Sequence, residues 1–525
     1  MHRRTLLAAA AAGAVLPRVA IGQPASARVL KIVPQANLTL LDPIFTTAAI
    51  TAWYSYNVFD TLFAVDSKMR PHPQMAEGFT VSDDGRTYLI KLRPGLKFHD
   101  GEPVRAQDAA PSLARWAARD TMGQTVATFV EAWEAADDRT VRVKLKSPLP
   151  VLIDAIAKPA SVIPFIMPER MAKTDPMRQV TETIGSGPYR FLKDEFNPGS
   201  HVAFSKFADY VPRQEAADWA SGGKQVHFER IEWKIIPDAA TAAAALQSGE
   251  IDWWEQALAD LVPSLKRRPD ITVDITDPTG YIGVIRFNHL QKPMDNVGIR
   301  RAIMAAVNQD DYMRAVTGNN TEAFRQCKAL FPCGTPYGSE IGAAAMPGDL
   351  GRARDMLKAA GYAGEKVVII NPTDFPTIGP FGEVTADLLK KLGMNVELQS
   401  MDWGTLVQRR VSKEPTDKGG WSMFHSWWTG VSIANPVLSA IIRGQGNAGW
   451  FGWFDNARAE QLTAEWLKAP DDAARNRLAD DIQRNAFDNV PTIPLGQFFI
   501  NTAYRKSITG VKPGPAPFMW GVRRV

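Results

Sequence analysis

Hydrophobic residues recur along this chain with two periods, two and about 3.6. From Arg28 to Gln35 apolar and polar positions alternate, which predicts a first strand. Leu41-Asp42-Pro43 turns the chain into Ala48 to Phe63, where Trp53, Asn57 and Leu62 suit a helix laid on a sheet. A hairpin is predicted over Phe79 to Leu92, because Ser82-Asp83-Asp84-Gly85 is turn chemistry and Thr87 to Leu92 alternates strictly. Ala106 to Ala118 reads as helix, and Asp137-Asp138-Arg139-Thr140 with Val141 to Leu145 as a second hairpin. Strands follow at Tyr189 to Leu192 and Ile231 to Ile235. An Ala-rich helix comes next, capped by Asp238 and stopped by Gly249.

Beyond Gly280 strands and helices alternate. Asn296 to Val307 has helical spacing, and Asp349 caps a helix running to Gly361. Val367 to Ile370 is a strand, Val384 to Leu392 a helix and Val396 to Leu398 a strand, the signature of an α/β lobe. Asp471 to Phe487 is the last long helix, and Pro491 to Tyr504 is strand-like. No period of roughly 20 to 50 residues repeats, which argues against a solenoid or propeller.

Composition narrows the class. With 525 residues, 45% apolar and 22% charged, the chain has the balance of a folded protein with enough length for two to four lobes. The formal charge is only +4, too small and dispersed for a nucleic-acid binder. Two cysteines, Cys327 and Cys333, exclude a disulfide framework and a four-cysteine zinc site.

The first residues change the picture of location. Met1 to Arg4 is basic, Leu6 to Leu16 is apolar, and Ala25-Ser26-Ala27 is a small-residue cleavage pattern, so residues 1–27 read as a secretory signal. Arg3-Arg4 before Thr5-Leu6-Leu7 partly matches a twin-arginine export signal, with the general route as the alternative. No cysteine follows the apolar run, so no lipid anchor is expected, and no later run reaches the roughly 18 apolar residues of a membrane span. The three arginines of the signal account for most of the charge, leaving +1 on the remaining 498 residues. A periplasmic location is expected. In that oxidising compartment Cys327 and Cys333, with five residues between them in a loop, are read as a short disulfide, with two free thiols as the alternative.

Catalytic signatures are weak. H-E-x-x-H, G-x-S-x-G and the phosphate-binding G-x-x-x-x-G-K-[ST] are absent. Ser221-Gly222-Gly223-Lys224 matches S-x-x-K, the acylating pair of penicillin-binding proteins, but lacks its companion motifs and is expected to be a flexible surface loop. Gly444 to Gly449 matches G-x-G-x-x-G without a following helix, so a structural loop is expected. The seven histidines share no turn with one another or with a cysteine, and neither metal nor cofactor is expected.

Four blocks carry a family likeness: Leu41-Asp42-Pro43 with Phe59-Asp60-Thr61-Leu62; Ala76-Glu77-Gly78-Phe79 through Leu92-Arg93-Pro94-Gly95 to Phe98-His99-Asp100-Gly101; Gly185-Ser186-Gly187-Pro188-Tyr189; and Phe287-Asn288 with Arg300-Arg301-Ala302-Ile303. Weaker matches run through Ser248 to Asp252 and Val490 to Leu495. The chain thereby resembles the extracytoplasmic solute-binding proteins of ABC importers in the peptide/nickel family, which includes oligopeptide- and dipeptide-binding receptors. That resemblance implies a two-lobed α/β periplasmic binding protein fold with an extra β-rich subdomain inserted in the first lobe. The implied division is 28–57 and 185–280 for the first lobe, 58–184 for the inserted subdomain, 281–490 for the second lobe and 491–525 for the return. Hinges would fall near Asp277 to Tyr281 and near Asn489 to Pro494.

The implied function is capture of a small organic solute by hinge closure and its delivery, by a monomer, to permease subunits of an ABC transporter in the inner membrane. A secreted enzyme or a ligand sensor on the same fold is the alternative. In peptide-binding members an aspartate after a tryptophan pairs with the peptide's α-ammonium group. Here that slot, in Trp427-Trp428-Thr429-Gly430-Val431-Ser432, holds Val431 or Ser432, so a free peptide N-terminus would lack its carboxylate. Trp427 and Trp428 are the aromatic candidates for the cleft, and Trp403, Trp450 and Trp453 are further ones, although most of the fifteen tryptophans should fill cores. Thr46 and Thr47, after the first strand, and Tyr281, at a hinge crossing, complete the candidate set.

Overall fold

Val29–Val33, the first strand, lies inside a seven-stranded sheet. The description rests on a computed structural model and covers residues 28–275, 277–318, 320–469 and 471–525; the signal expected over residues 1–27 lies outside it. Val29–Val33 pairs in parallel with Arg230–Lys234 and with Trp253–Ala257. Beyond Trp253–Ala257 come Asn501–Arg505 and Ile271–Ile275, both antiparallel to their neighbours. A second, six-stranded sheet orders Phe324–Arg325, Thr492–Phe498, Tyr281–Phe287, Met423–Thr429, Lys366–Pro372 and Asn395–Met401. Tyr281–Phe287 and Met423–Thr429 are buried along their whole length, as expected of strands covered on both faces. Each sheet carries helices, so the molecule is a two-lobed α/β fold.

Between the first strand and Tyr189–Phe191 the chain builds a separate four-stranded antiparallel sheet, in the order Ala76–Val81, Thr87–Leu92, Thr140–Leu145, Val130–Ala135. Both expected hairpins are present in it, and in Thr87–Leu92 Tyr88, Ile90 and Leu92 are buried while Leu89 and Lys91 face solvent. The helix Ala106–Arg119 packs against this sheet and continues through Pro111.

Two expectations shift. The helix predicted from Ala48 to Phe63 stops at Val58, because Phe59 is extended and Asp60–Thr61 and Phe63–Val65 are short strands. The single stretch expected from Pro491 to Tyr504 is two strands in different sheets. Thr492–Phe498 pairs with Tyr281–Phe287, so the return crossing lies between Phe498 and Asn501, beyond the hinge expected near Asn489 to Pro494. The outward crossing lies between Ile275 and Tyr281.

The motif blocks are structural joints. Asp42 is fully buried and pairs with both terminal nitrogens of Arg115, at 2.7 and 3.1 Å, tying the first turn to the helix Ala106–Arg119. His99 accepts at Nδ1 from Gly185 N (3.3 Å) and donates from Nε2 to Gly187 O (3.0 Å), so two of the blocks meet here. Burial pulls the His99 imidazole down to about 4, keeping it in the neutral form that can do both. A Cβ on Gly187 would stand 2.5 Å from Asn57 O, which is why the backbones can approach only with glycine. Arg300 donates to Met294 O, Asn489 O and Val490 O, anchoring the end of the long helix Asp472–Asn489.

The S-x-x-K segment is not the flexible surface loop expected. Lys224 is fully buried, donates to Asp60 Oδ1 at 2.7 Å and lies 4.9 Å from the centre of the Trp520 ring. Its ammonium is committed to that carboxylate, and the Ser221 hydroxyl donates to Asp218 O. The Gly444 to Gly449 segment is a loop around a single 3-10 turn. Cys327 and Cys333 are joined in a disulfide.

Candidate functional site

The two lobes face each other beyond the carboxyl ends of Val29–Val33 in one sheet and of Met423–Thr429 in the other, where open α/β sheets leave room for ligands. A cleft of about 620 Å³ opens there, lined from one side by Thr47, Trp53 and Tyr56 and from the other by Trp403, Arg410, Trp427, Trp428 and Ser432. Ser426 through Thr429 all contribute because the cleft meets the end of their strand rather than one face of it. A larger hollow of about 1420 Å³ adjoins Thr46 and Thr47 and is bounded by Trp450 and Trp453.

Helix capping sets the far wall. Asp402 accepts from Thr405 N (3.0 Å) and starts the helix Trp403–Arg409, while Trp403 N donates to Asp374 Oδ1 at 2.7 Å. Trp403 and Arg410 are about two helical turns apart and so share one face. The rings brace one another: Phe375 meets Trp403 edge-on at 4.9 Å, and Tyr281 meets Trp427 at 4.7 Å. Trp427 Nε1 donates to Thr377 Oγ1 at 3.0 Å, whereas the buried Trp428 Nε1 has no partner among the described residues.

Of the residues chosen from sequence, Thr47, Trp403, Trp427, Trp428 and Ser432 reach the cleft, while Trp450 and Trp453 border the larger hollow beside it. Thr46 is one step behind, its hydroxyl accepting from Ala48 N and from Arg410 Nη2, both at 3.1 Å. Tyr281 and Val431 are not among the lining residues. Tyr281 is buried behind Trp427 because its strand is central to the sheet, and Val431 faces inward in the 3-10 turn Gly430–Ile433. In the same turn the Ser432 hydroxyl shares a hydrogen bond with Thr429. Among the described residues lining this cleft, none is acidic.

Arg410 is the residue that sequence reading missed. It is 1% exposed, and its guanidinium lies 4.8 Å from the centre of the Phe451 ring and 5.7 Å from that of Trp403. Nη2 donates to Thr46, and Nε has no partner among the described residues. Burial alone pulls its pKa down to about 9, so it stays charged at neutral pH. The only sequence signal was Arg409-Arg410 at a helix end, which reads equally as a solvated terminus.

The lobes already touch in this structure. Trp450 Nε1 donates to Thr47 Oγ1 at 3.2 Å, and Arg443 Nη2 donates to Thr125 Oγ1 at 2.8 Å.

Comparison with known proteins places this geometry. Residues 70–450 match the family model described as bacterial extracellular solute-binding proteins, family 5 Middle. A probable peptide ABC transporter periplasmic-binding protein, y4tO, of Sinorhizobium fredii is 38% identical over 492 residues, covering 93% of this chain and 92% of the relative. The glutathione-binding protein GsiB of Escherichia coli K12 is 27% identical over 529 residues, covering 97% and 96%. Among solved structures, the binding protein AgaA of A. tumefaciens R10 in complex with agropinic acid superposes with a TM-score of 0.79 at 20% identity, over 95% of this chain and 99% of that one. DppA of Helicobacter pylori in complex with the peptide STSA gives 0.78 at 21% identity, over 94% and 98%.

Proposed function

Since this chain belongs to family 5 of the bacterial extracellular solute-binding proteins, we propose that it captures a small organic solute in the interlobe cleft and hands it to an ABC permease. The lobes would move about the crossings at 277–280 and 499–500, with 58–184 travelling as part of the first lobe. Closure on a solute that touches Thr47 on one side and Trp427 or Trp428 on the other stabilises the closed form by the solute's differential affinity. No covalent step belongs to this reading, and a periplasmic monomer suffices for it.

The observation that carries it is the cleft itself, walled by indoles from the second lobe and by the helix Ala49–Val58 from the first. The relatives' names point to peptides; no described residue lining the cleft at Trp427 and Trp428 is acidic, which disfavours a free α-ammonium group at that position, whereas Asp374 lines the adjoining interlobe cavity of about 900 Å³. Native mass spectrometry of the protein purified from its own periplasm tests the proposal. A bound solute of constant mass, released unchanged on unfolding, is expected; conversion of that solute to a product would overturn it.

A further inference from the structure

Among the described residues, other buried cations are either paired with a carboxylate or have their donors taken up by backbone carbonyls. Arg115 has Asp42, Lys158 has Asp120 and Lys224 has Asp60, each at 2.6 to 2.7 Å. Arg286 and Arg300 each donate to at least three backbone carbonyls. Arg410 differs. Its hydrogen bond is to one threonine hydroxyl, its Nε is unpartnered, and among the described residues no acidic side chain pairs with it, yet it is almost completely buried at the wall of the cleft.

A guanidinium held between rings without a counter-charge is costly, because its hydration is lost and no protein group replaces it. The same side chain presents a rigid fork of donors that fits a carboxylate through two parallel bonds. Resting on the solute-receptor reading, we propose that Arg410 is the anchor for a carboxylate of the captured solute, which is therefore an organic acid whose flat or apolar part lies against Trp403, Trp427 or Trp428. Thr46 belongs to the same anchor: its oxygen accepts from Arg410, which leaves its own O–H free to donate to the anion. Because Thr46 and Arg410 come from different lobes, the anion would offset the desolvation that closure imposes on the guanidinium. Closure would then be favourable chiefly when a carboxylate is present.

The full-length protein from its own periplasm, freed of solute by unfolding and refolding, supplies the test. Calorimetry would compare wild type, Arg410→Met and Arg410→Lys against the co-purified solute and against a panel of aromatic carboxylates, each paired with its primary amide. Wild type should carry an anionic solute and prefer acids to amides. Arg410→Met should weaken acid binding roughly 10- to 100-fold while leaving amides unaffected, and Arg410→Lys should lie between. Unliganded Arg410→Met should melt at the wild-type temperature or above, because it removes an unpaired buried charge; a lower melting temperature in both variants would make Arg410 a structural residue and overturn the proposal. A neutral co-purified solute, or equal binding of acid and amide, would remove the anion anchor and leave the receptor reading standing. Absence of any captured solute and of any binding from the panel would overturn both.

Discussion

Trp450 and Thr47 join the two lobes through one hydrogen bond, indole Nε1 to hydroxyl Oγ1 at 3.2 Å. Thr47 also lines the cleft, so one of the bonds between the lobes, beside Arg443 to Thr125 and Arg410 to Thr46, lies at the proposed solute site. A single such bond contributes about 1 kcal/mol. Thr47→Val should therefore lower the closed-to-open ratio of unliganded protein roughly fivefold, seen as a larger radius of gyration in small-angle scattering. An unchanged scattering profile would remove this bond from the closure equilibrium.

Trp428 offers a donor that the protein does not use. Its Nε1 is buried and unpartnered while the ring stands edge-on to Trp450 at 5.0 Å. Trp428→Phe keeps an aromatic ring and loses the N–H. The unliganded melting temperature should stay within about 2 °C of wild type or rise, and solute affinity should fall roughly fivefold to tenfold if a solute accepts that bond.

Lys224 and Asp60 form a buried ion pair that Tyr210 joins, its hydroxyl donating to Asp60 Oδ2 at 2.9 Å. Removing one member leaves an uncompensated charge, so Lys224→Met should cost about 3 to 5 kcal/mol in denaturant unfolding. The double variant Lys224→Met with Asp60→Asn should recover part of that loss. If the single variant unfolds like wild type, the pair does not hold the first lobe.

Asp277 lies at the outward crossing, where burial pushes its carboxyl up to about 6 from the ordinary 3.8. The folded chain therefore holds this proton more tightly than the unfolded chain does. Its contribution to stability is full below about pH 4 and is lost as pH rises through about 6. Asp277→Asn can still accept the bonds from Thr279 N and Oγ1, both at 2.8 Å, but cannot titrate. Between pH 5 and 7.5 the wild type should lose about 1 kcal/mol more than the variant in guanidinium unfolding. Parallel pH profiles would show that Asp277 does not govern this window.

Local signals were well placed to announce most elements. Asp238 and Gly249 cap the helix Ala239–Ser248 as read, since caps satisfy orphan backbone groups within a few residues and need no tertiary partner. Ser82 to Gly85 turned the first hairpin for the same reason. The stretch from Pro491 to Tyr504 shows the limit: its residue pattern announces strand, but nothing local says that Thr492–Phe498 and Asn501–Arg505 join different sheets.

The candidate site follows that division. Sequence alone determined the aromatic Trp427-Trp428 segment, and through the motif resemblance it implied the two-lobed class and the lack of an acid at Val431 and Ser432, because these follow from residue identity and order. Which side chains face the cleft was decided only in three dimensions. Lys224 moved from an expected surface loop to a buried pair because Asp60, far away in sequence, supplies its counter-charge. Arg410 moved the other way in meaning. Arg409 reaches Gly419 and Gly420 carbonyls at a partly exposed helix end, while its neighbour, about 100° further round the helix, is turned inward among Trp403, Phe424 and Phe451. Burial is a property of what surrounds a residue, and for Arg410 those surroundings come from three separate stretches of chain that only folding brings together.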